Sequence, residues 1–474
     1  MIAALAAPPS SDIRAQLLTG VRAGAAAAND RGEPVIVAIG LTAPADRDPL
    51  ALFASAAAWT GERFFWEQPS RGVATAALGV TATIETHGRS RFADANERAA
   101  RLFADLIHAG DAGAPVRLVG GFAFAPEGAG VGRWREFPAG LLVLPALLYH
   151  REGDRSSLTV CRRVRPDADA DAIAAAIERS VAFAFGAAGC ADHSPPCSGV
   201  LQREERPEAA SWKAAVADAV AAVRAERLKK VVLARSLAFA ADRPFADATI
   251  AERLRAANPT ATTFVAARRH ARFLGATPEL LVRLRGCAVE TTALAGSIGR
   301  GANAGDDDAL AAQLLASTKD RIEHEVVVET ILAALSPVCT EVRRAAGTPR
   351  IERSRSVQHL ATPIAGTLAP GCTALDLVGR LHPTPAVGGA PRREALAFIH
   401  QREDLERGWY AGPIGWLDAD GDGEFVVALR SGLIEGREAT LFAGCGIVAA
   451  SDPDAEYRET ALKFGPMLGA LGPA

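Results

Sequence analysis

Short apolar runs bounded by turn-forming residues dominate the first part of the chain. The pattern predicts strands at residues 35–41, 63–69, 116–126 and 141–153. Helical periodicity predicts helices at residues 11–30, 92–110 and 167–185. Because few helices separate the strands, the pattern favours antiparallel sheets over repeated β-α-β units.

The second part of the chain follows a polar, breaker-rich stretch, residues 191–210. Such a composition is typical of a linker, so we divide the chain into an N-terminal α+β portion, residues 1–200, and a second domain, residues 205–474. Ser211 is predicted to cap a helix with apolar residues at helical spacing. A single long helix is predicted at residues 306–335, with three aspartates at its positive end.

A strand, a turn and a helix in residues 441–463 combine glycines with charged residues. Glu456, Glu459 and Lys463 are three and four positions apart, so they share one face of the helix. Two carboxylates and an ammonium facing a glycine-lined pocket suit a hard cation together with an anionic small molecule. These residues alone leave open the alternative of a solvated helix face with an internal ion pair.

Residues 418–424, DADGDGE, imitate the beginning of a calcium-binding loop. Asp418, Asp420 and Asp422 fall at the first, third and fifth loop positions. The twelfth position is Leu429, where such a loop requires a bidentate glutamate. We therefore predict a tight hairpin turn without a calcium site.

Several single residues are candidates for catalysis. Lys230 opens an apolar strand, where it either extends its ammonium to solvent or serves as a base favoured by burial and nearby cations. Glu279 follows a proline in a turn before a strand. Glu323 and Glu325 are two residues apart on the predicted helix, so only one of them can face the other glutamates. His359 is a lone histidine, which is more often a structural hydrogen-bonding residue than a ligand.

Composition excludes several classes of protein. The chain has 474 residues and 49% hydrophobic content, enough for a large core, and its net charge of −3 gives no reason to expect nucleic acid as a partner. Seven scattered cysteines without a C-x-x-C pair argue against a disulfide scaffold and structural zinc, and indicate a reducing cytoplasm. There is no signal-peptide pattern and no apolar run near the ~20 residues of a membrane span. We expect no membrane partner, and a cytoplasmic monomer or weak dimer.

Nine sequence blocks follow one another in the second domain. They are KVVLAR (230–235), GATPELLVR (275–283), LAGSIGRG (294–301), KDRIEHEVVV (319–328), VQHLATPIAG (357–366), LHPTPAVGG (381–389), GWYAGPIGW (408–416), FVVALRSGLI (425–434), and LFAGCGIV with EYRET (456–460). In this order they resemble the chorismate-binding enzymes, a family that includes isochorismate, salicylate, anthranilate and aminodeoxychorismate synthases. The resemblance is close over residues 205–470. FFWEQP and GGFAF in the N-terminal part are similar, more weakly, to the isochorismate synthases that feed salicylate-derived siderophores.

The resemblance implies an α+β fold like that of anthranilate synthase component I, with two large, mainly antiparallel β-sheets packed face to face and helices outside. The N-terminal portion would complete the sheets, and residues 205–474 would form the chorismate-binding catalytic domain. The implied cofactor is Mg²⁺, bound directly by Glu323 and Glu459 and through water by Glu456.

The resemblance also implies roles around the substrate, chorismate. Lys230 would be the base that activates water for attack at C2, and Glu279 the acid that protonates the departing C4 hydroxyl. The groups implied to hold the substrate carboxylates are Arg430, Lys463 and the backbone of Gly444 and Gly446. The residues implied to line the pocket are Gly296, His359 and Tyr410.

Elementary chemistry agrees with these roles. Chorismate is a dianion at neutral pH, so a cluster of glutamates alone would repel it, and a metal cation with Arg and Lys is required. Water is a poor nucleophile and hydroxide a poor leaving group, so the reaction needs a base and an acid on opposite sides of the ring.

Two positions bear on the choice within the family. Lys230 fits the members of the family that use water as nucleophile. The anthranilate synthases, which use ammonia, have Gln at this position. Aminodeoxychorismate synthases also keep a lysine, as a covalent nucleophile. Ala386 is typical of isochorismate synthases, whereas members that eliminate pyruvate carry Thr, so isochorismate is the predicted product.

Two alternatives accompany this prediction. Salicylate synthase is the first, because Tyr410 also occurs in members that eliminate pyruvate. The second is a catalytically inactive regulator that binds chorismate, which the retention of the candidate base, acid and metal-binding glutamates disfavours. The sequence leaves open whether the product serves siderophore, menaquinone or other salicylate-derived synthesis.

Overall fold

The computed structural model describes residues 11–127, 129–186, 200–345, 347–355 and 357–472. The helices in these ranges are α1 (Ser11–Arg31), α2 (Pro49–Ser55), α3 (Arg91–Ala104), α4 (Ala170–Gly186), α5 (Ala209–Arg224), α6 (Asp247–Ala257), α7 (Ala304–Ala316), α8 (Thr318–Leu335), α9 (Ala374–Leu381), α10 (Arg392–Arg402) and α11 (Pro453–Leu471). The strands are β1 (Val35–Thr42), β2 (Arg63–Gln68), β3 (Val73–Leu78), β4 (Ala82–Thr86), β5 (Leu106–Gly110), β6 (Arg117–Phe122), β7 (Gly140–Leu144), β8 (Leu147–Glu152), β9 (Arg155–Val164), β10 (Val200–Arg206), β11 (Lys230–Ala241), β12 (Thr262–Arg268), β13 (Ala271–Thr277), β14 (Leu280–Arg285), β15 (Ala288–Gly299), β16 (Cys339–Arg344), β17 (Arg350–Arg353), β18 (Val357–Leu368), β19 (Gly389–Ala390), β20 (Pro413–Asp418), β21 (Gly423–Val427), β22 (Ser431–Glu435) and β23 (Glu438–Ile447).

These strands form two large sheets. The first has the order β10-β11-β23-β22-β13-β12-β2-β3-β8-β9-β1-β5, with β19 beside β11. The second has the order β16-β18-β15-β14-β21-β20-β6-β7-β4, with β17 beside β18. Apart from the parallel pair β1 and β5, neighbouring strands in the described chain are antiparallel. The predicted α+β class with two large, mainly antiparallel sheets is confirmed.

Side chains on alternate positions of the first sheet enter two different cores. Phe64 and Trp66 of β2 belong to the core that also contains Leu142 and Phe425 of the second sheet. Phe65, between them, belongs to a second core with side chains of the outer helices α1, α4, α6 and α11. Successive strand residues point to opposite faces, so a sheet covered on both faces is apolar throughout. This explains the continuous apolar runs in its strands and places helices outside the two sheets.

Several predicted elements are shorter than expected, among them the strand expected at residues 116–126, which spans Arg117–Phe122. The helix expected at residues 92–110 ends at Ala104, because β5 follows and pairs with β1. The strand expected at residues 141–153 is interrupted at Pro145 and becomes β7 and β8, which lie in different sheets. The helix expected at residues 306–335 is divided by Ser317, which is extended and accepts a hydrogen bond from the first turn of α8.

The predicted start of α5 is also wrong. The helix begins at Ala209 with Glu208 as N-cap, so Ser211 lies inside its first turn. Residues 191–199 of the predicted linker lie outside the described residues, and β10, which follows, pairs with β11. Both sheets contain strands from either side of residue 200, so the division into two domains stays a prediction.

The hairpin prediction for residues 418–424 is confirmed. Asp418 ends β20 and Gly423 begins β21, and the Asp418 carboxylate accepts hydrogen bonds from the backbone N–H groups of Asp420 and Asp422. None of the described helices is long and apolar enough to cross a membrane.

Candidate active site

One cavity gathers most of the residues expected at the site. Its volume is about 600 Å³, counted with the solvent at its mouth, and its walls come from both sheets and from α8 and α11. The expected residues that line it are Lys230, Glu279, Gly296, Glu323, His359, Ala386, Tyr410, Arg430, Gly444, Gly446, Glu459 and Lys463. Glu456 is the expected residue that does not line it.

Lys230 is the first residue of β11, and its side chain is 1% exposed. Its Nζ lies 2.8 Å from Oε1 of Glu323 on α8. The pairing of β11 with β23 brings Gly446 beside these two side chains. A Cβ at residue 446 would lie 2.5 Å from Cε of Lys230 and closer still to Oε1 of Glu323. Glycine at this position is therefore what leaves room for the ion pair.

Glu279 lies in the short connection between β13 and β14, where its backbone N–H donates to Oγ1 of Thr277 at 3.2 Å. The residue is 5% exposed. Burial raises the pKa of its carboxyl to about 7, although the charges of Lys230, Arg430 and Lys463 act in the opposite direction. A carboxyl that keeps its proton near neutral pH can act as a general acid.

His359 fixes the guanidinium of Arg430 in the cavity. Its Nε2 lies 3.2 Å from Nη2 of Arg430, and its Nδ1 lies 3.2 Å from the carbonyl oxygen of Gly296. A guanidinium only donates hydrogen bonds, so Nε2 accepts and Nδ1 carries the proton. Burial, with Arg430 and Lys463 nearby, lowers the pKa of His359 well below its usual value. His359 is thus a neutral residue that orients Arg430.

Gly296 forms a bulge in β15. The register against β18 shifts between Ala295 and Ser297, and Gly296 has a φ of +74°, which favours glycine. A Cβ there would lie 3.0 Å from Cβ of Asp320 on α8. The bulge therefore lets α8 approach the strand that carries the cavity wall.

The helix α11 brings the predicted charged face to the cavity. Asp452 caps the helix, and Lys463 donates hydrogen bonds to Oε1 of Glu459 at 2.6 Å and to the carbonyl oxygen of Gly444 at 3.0 Å. The internal ion pair considered as an alternative does form. Its side chains are mostly buried in the cavity wall, so a solvated helix face is wrong.

Glu456, three residues before Glu459 on α11, does not line the cavity. It is 1% exposed, and its Oε1 accepts a hydrogen bond from Nζ of Lys319 at 2.9 Å. Burial and the nearby charge of Glu459 raise the pKa of Glu456. Sequence reasoning missed Lys319, although it begins the 319–328 block, because a lysine in the first turn of a helix has no distinctive spacing.

The three glutamates expected to bind the metal are each paired with an ammonium group. The pairs are Lys230–Glu323 at 2.8 Å, Lys319–Glu456 at 2.9 Å and Lys463–Glu459 at 2.6 Å. Among the residues that the structure describes, no group of three or more His, Cys, Asp or Glu side chains is arranged as a metal site. Asp320, also missed from the sequence, lies on α8 three residues before Glu323, and its pKa is raised by burial and by the charges of Glu323 and Glu459.

The donor chemistry nevertheless fits a hard cation. Oxygen donors from several carboxylates are what Mg²⁺ prefers. Like-charge repulsion contributes to the raised pKa values of Glu456 and Asp320, and a cation would relieve it. Glu325, two residues from Glu323, instead pairs with Arg344 at the surface at 2.8 Å. Glu323 is thus the residue of this pair that faces the other glutamates.

Tyr410 and Ala386 complete the cavity wall. The ring of Tyr410 stacks on Phe442 with centroids 5.2 Å apart, and burial raises the pKa of its hydroxyl, so it remains a neutral phenol. Ala386 also lines the cavity, and its side chain is a methyl group without a polar atom.

Comparison with known proteins establishes the class. Residues 23–472 match the family model described as chorismate binding enzyme, and the chain belongs to that family. It is 42% identical over 472 residues to the salicylate biosynthesis isochorismate synthase of Pseudomonas aeruginosa, covering 98% of this chain and 96% of that protein. It is 38% identical over 435 residues to the isochorismate synthase MenF of Bacillus subtilis, covering 90% of this chain and 91% of the relative.

Solved structures show the same architecture. The menaquinone-specific isochorismate synthase MenF from Escherichia coli matches with a TM-score of 0.77 and 27% identity, over 96% of this chain and all (100%) of that one. Anthranilate synthase component I from Streptococcus pneumoniae matches with a TM-score of 0.69 and 21% identity, over 84% of this chain and 92% of that one. The second likeness concerns the fold alone, and it confirms the predicted fold type.

Proposed function

We propose that this protein is an isochorismate synthase, an isomerase that converts chorismate reversibly to isochorismate. Water adds at C2 of the ring, the hydroxyl at C4 leaves as water, and the ring double bonds shift between these positions. The observation that carries the proposal is Glu279, a buried carboxyl with a pKa of about 7 in the same cavity as the buried Lys230. The names of the relatives from Pseudomonas aeruginosa and Bacillus subtilis agree with this reaction.

Lys230 is the proposed base that takes a proton from the attacking water. It is buried in the cavity wall, and its Nζ lies 2.8 Å from Oε1 of Glu323, so the proposed base stands directly beside a proposed metal ligand. Glu279 is the proposed acid that gives its proton to the departing C4 hydroxyl, because hydroxide is a poor leaving group.

Substrate binding is proposed to use the remaining cations of the cavity. Arg430 and Lys463 are positive groups suited to the two carboxylates of chorismate, with the backbone of Gly444 and Gly446 beside them. His359 holds Arg430 in place and brings no charge of its own. Gly296 and Tyr410 form the neighbouring wall.

Mg²⁺ is the proposed cofactor. Glu323 and Glu459 would hold it directly and Glu456 through a water molecule, once the lysines that now pair with them give way. When bound, the cation would offset the negative charge of both the glutamates and the substrate carboxylates.

Isochorismate is the proposed final product because Ala386 offers no hydroxyl beside the ring. Elimination of pyruvate needs the C2 hydrogen and the enolpyruvyl group in a defined relative geometry, which a threonine at this position could impose. The test follows isochorismate, salicylate and pyruvate together after chorismate and Mg²⁺ are added to the purified enzyme. We expect isochorismate in equilibrium with chorismate, and stoichiometric pyruvate and salicylate would overturn the assignment.

We also propose that the protein works in the cytoplasm as a monomer or weak dimer. The five cysteines in the described part of the chain are free, which suits a reducing compartment. Light scattering over a range of protein concentrations measures the oligomeric state. A stable higher oligomer would contradict the proposal.

A further inference from the structure

A second, wider cavity adjoins the catalytic cavity. Its volume is about 1090 Å³, counted with the open solvent, and its walls come from the end of α6, the turn before β18, and α11. Pro278, His359 and Arg430 line both cavities. The outer cavity therefore meets the catalytic cavity at the pair His359–Arg430.

Arginine dominates the charged residues of the outer cavity. The arginines in its wall are Arg300, Arg353, Arg355 and Arg430. The acidic residue there is Glu352, which lies 3.5 Å from Arg350. A wall with this balance attracts small anions, and low-dielectric walls strengthen the attraction.

Two of these arginines serve the local structure. Arg300 donates to both oxygens of Asp307 at 2.7 Å, and Nε of Arg353 lies 3.2 Å from Oδ2 of the same residue. These hydrogen bonds from Arg300 hold the pKa of Asp307 at about 2. Gln358, next to His359, also donates to Asp307. Arg353 also pairs with Asp308 at 2.6 Å, so Arg300 and Arg353 hold the cavity wall together and their charges are offset by Asp307 and Asp308.

Arg355 differs from both. It is exposed, it lines the outer cavity, and within the described residues its guanidinium has no ion-pair partner. A free guanidinium offers five donors in a planar fork, which suits a carboxylate. Arg355 lines the outer cavity alone, whereas Arg430 lines both the outer and the catalytic cavity.

We propose that the outer cavity is the route by which the dianionic substrate enters, and that Arg355 captures a substrate carboxylate before Arg430 receives it. The inference rests on the proposed function only in taking chorismate as the substrate. Capture at the mouth raises the rate of productive encounter, because a weakly held anion is already oriented towards the second cation. The step leaves the chemistry in the inner cavity unchanged.

The test compares Arg355→Glu, Arg355→Lys and the parent enzyme at low and high ionic strength. Chorismate consumption is followed, so that the assay works whichever product forms. We expect Arg355→Glu to lower kcat/KM about three- to tenfold at low salt, with kcat unchanged, and the difference to shrink as salt screens the charge. Arg355→Lys should keep most of the parent kcat/KM.

The matched control is Arg163→Glu, a charge reversal at an exposed arginine of β9, far along the first sheet from β11. Equal kcat/KM values for Arg355→Glu and Arg163→Glu would overturn the proposal. So would a fall in kcat at Arg355→Glu, because it would place Arg355 in the reaction step. If the parent consumes no chorismate, the proposed function fails. The rate at which chorismate binds to the parent and to Arg355→Glu, measured by stopped-flow protein fluorescence, still decides the role of Arg355.

Discussion

Replacement of Glu279 by glutamine tests the proposed acid and the cost of burying it. The amide has nearly the volume of the carboxyl but has no proton to give to the C4 hydroxyl. If Glu279 is the general acid, Glu279→Gln should lower kcat by ~10² or more. Binding of chorismate should persist, because Arg430 and Lys463 are unchanged.

The same change should alter the pH dependence of stability. Burial raises the pKa of Glu279 from its ordinary 4.5 to about 7, so the folded protein binds this proton more tightly than the unfolded chain. The stability that Glu279 contributes is therefore fully present below pH 4.5 and is lost as the pH rises through 7. The difference between 4.5 and about 7 corresponds to about 3 kcal/mol. Glu279→Gln has no such loss, so it should gain stability relative to the parent between pH 4.5 and 8.

Urea denaturation at pH 5 and pH 8 measures this gain, and turnover at the same pH values measures the catalytic loss. Asp418→Asn is a matched control, because burial and the nearby Asp422 raise the pKa of Asp418 to about 6 in a hairpin outside the cavity. It should change the pH dependence of stability without changing turnover.

Two outcomes would refute the reasoning about Glu279. Turnover near the parent rate in Glu279→Gln would mean that the proton comes from another group. The unfolding free energy changes by some amount between pH 5 and pH 8. If that change were the same in Glu279→Gln as in the parent, burial would not hold the proton on Glu279. In the parent, kcat/KM should decline above pH 7 as this carboxyl ionises.

The remaining predictions concern the metal, the glycine beside the ion pair and the hairpin. Glu459→Ala should abolish turnover and weaken Mg²⁺ binding measured by calorimetry, and full turnover of the parent in excess EDTA would contradict the metal assignment. Gly446→Ala should fold but lose most activity, because its Cβ would lie 2.5 Å from the base, whereas Gly465→Ala on α11, with no atom within 4 Å of the new Cβ, should keep the parent rate. Asp420→Asn combined with Asp422→Asn should leave the rate and its Mg²⁺ dependence unchanged, and a large loss of metal affinity would refute the hairpin interpretation.

Local periodicity determined much of what could be predicted. Helical spacing alone brings Glu459 and Lys463 to one face of α11, and they do pair there. Both faces of the first sheet are covered by a core, so its strands are apolar throughout. This is why strands such as β1 could be predicted from the sequence. The turn chemistry of residues 418–424 likewise depends on neighbours along the chain.

The order of the nine sequence blocks indicated the family and its site more specifically than any single residue did. Lys230 and His359 each had an ordinary structural interpretation when considered alone, and Glu279 stood out only by its place in a turn. The resemblance brought them together, and the cavity does contain all three. Their roles in catalysis stay predictions until turnover is measured.

Tertiary structure decided the features that depend on partners distant in sequence. The helix expected at residues 92–110 ends early because β5 finds β1 as its neighbour, which no local pattern encodes. Lys319 of α8 pairs with Glu456 of α11, which lies 137 positions further along the chain. The raised pKa of Glu279 is likewise a product of burial by both sheets. By itself the sequence determined which residues share a strand or a helix face, and only packing decided which faces meet, because burial and charge pairing arise after the elements come together.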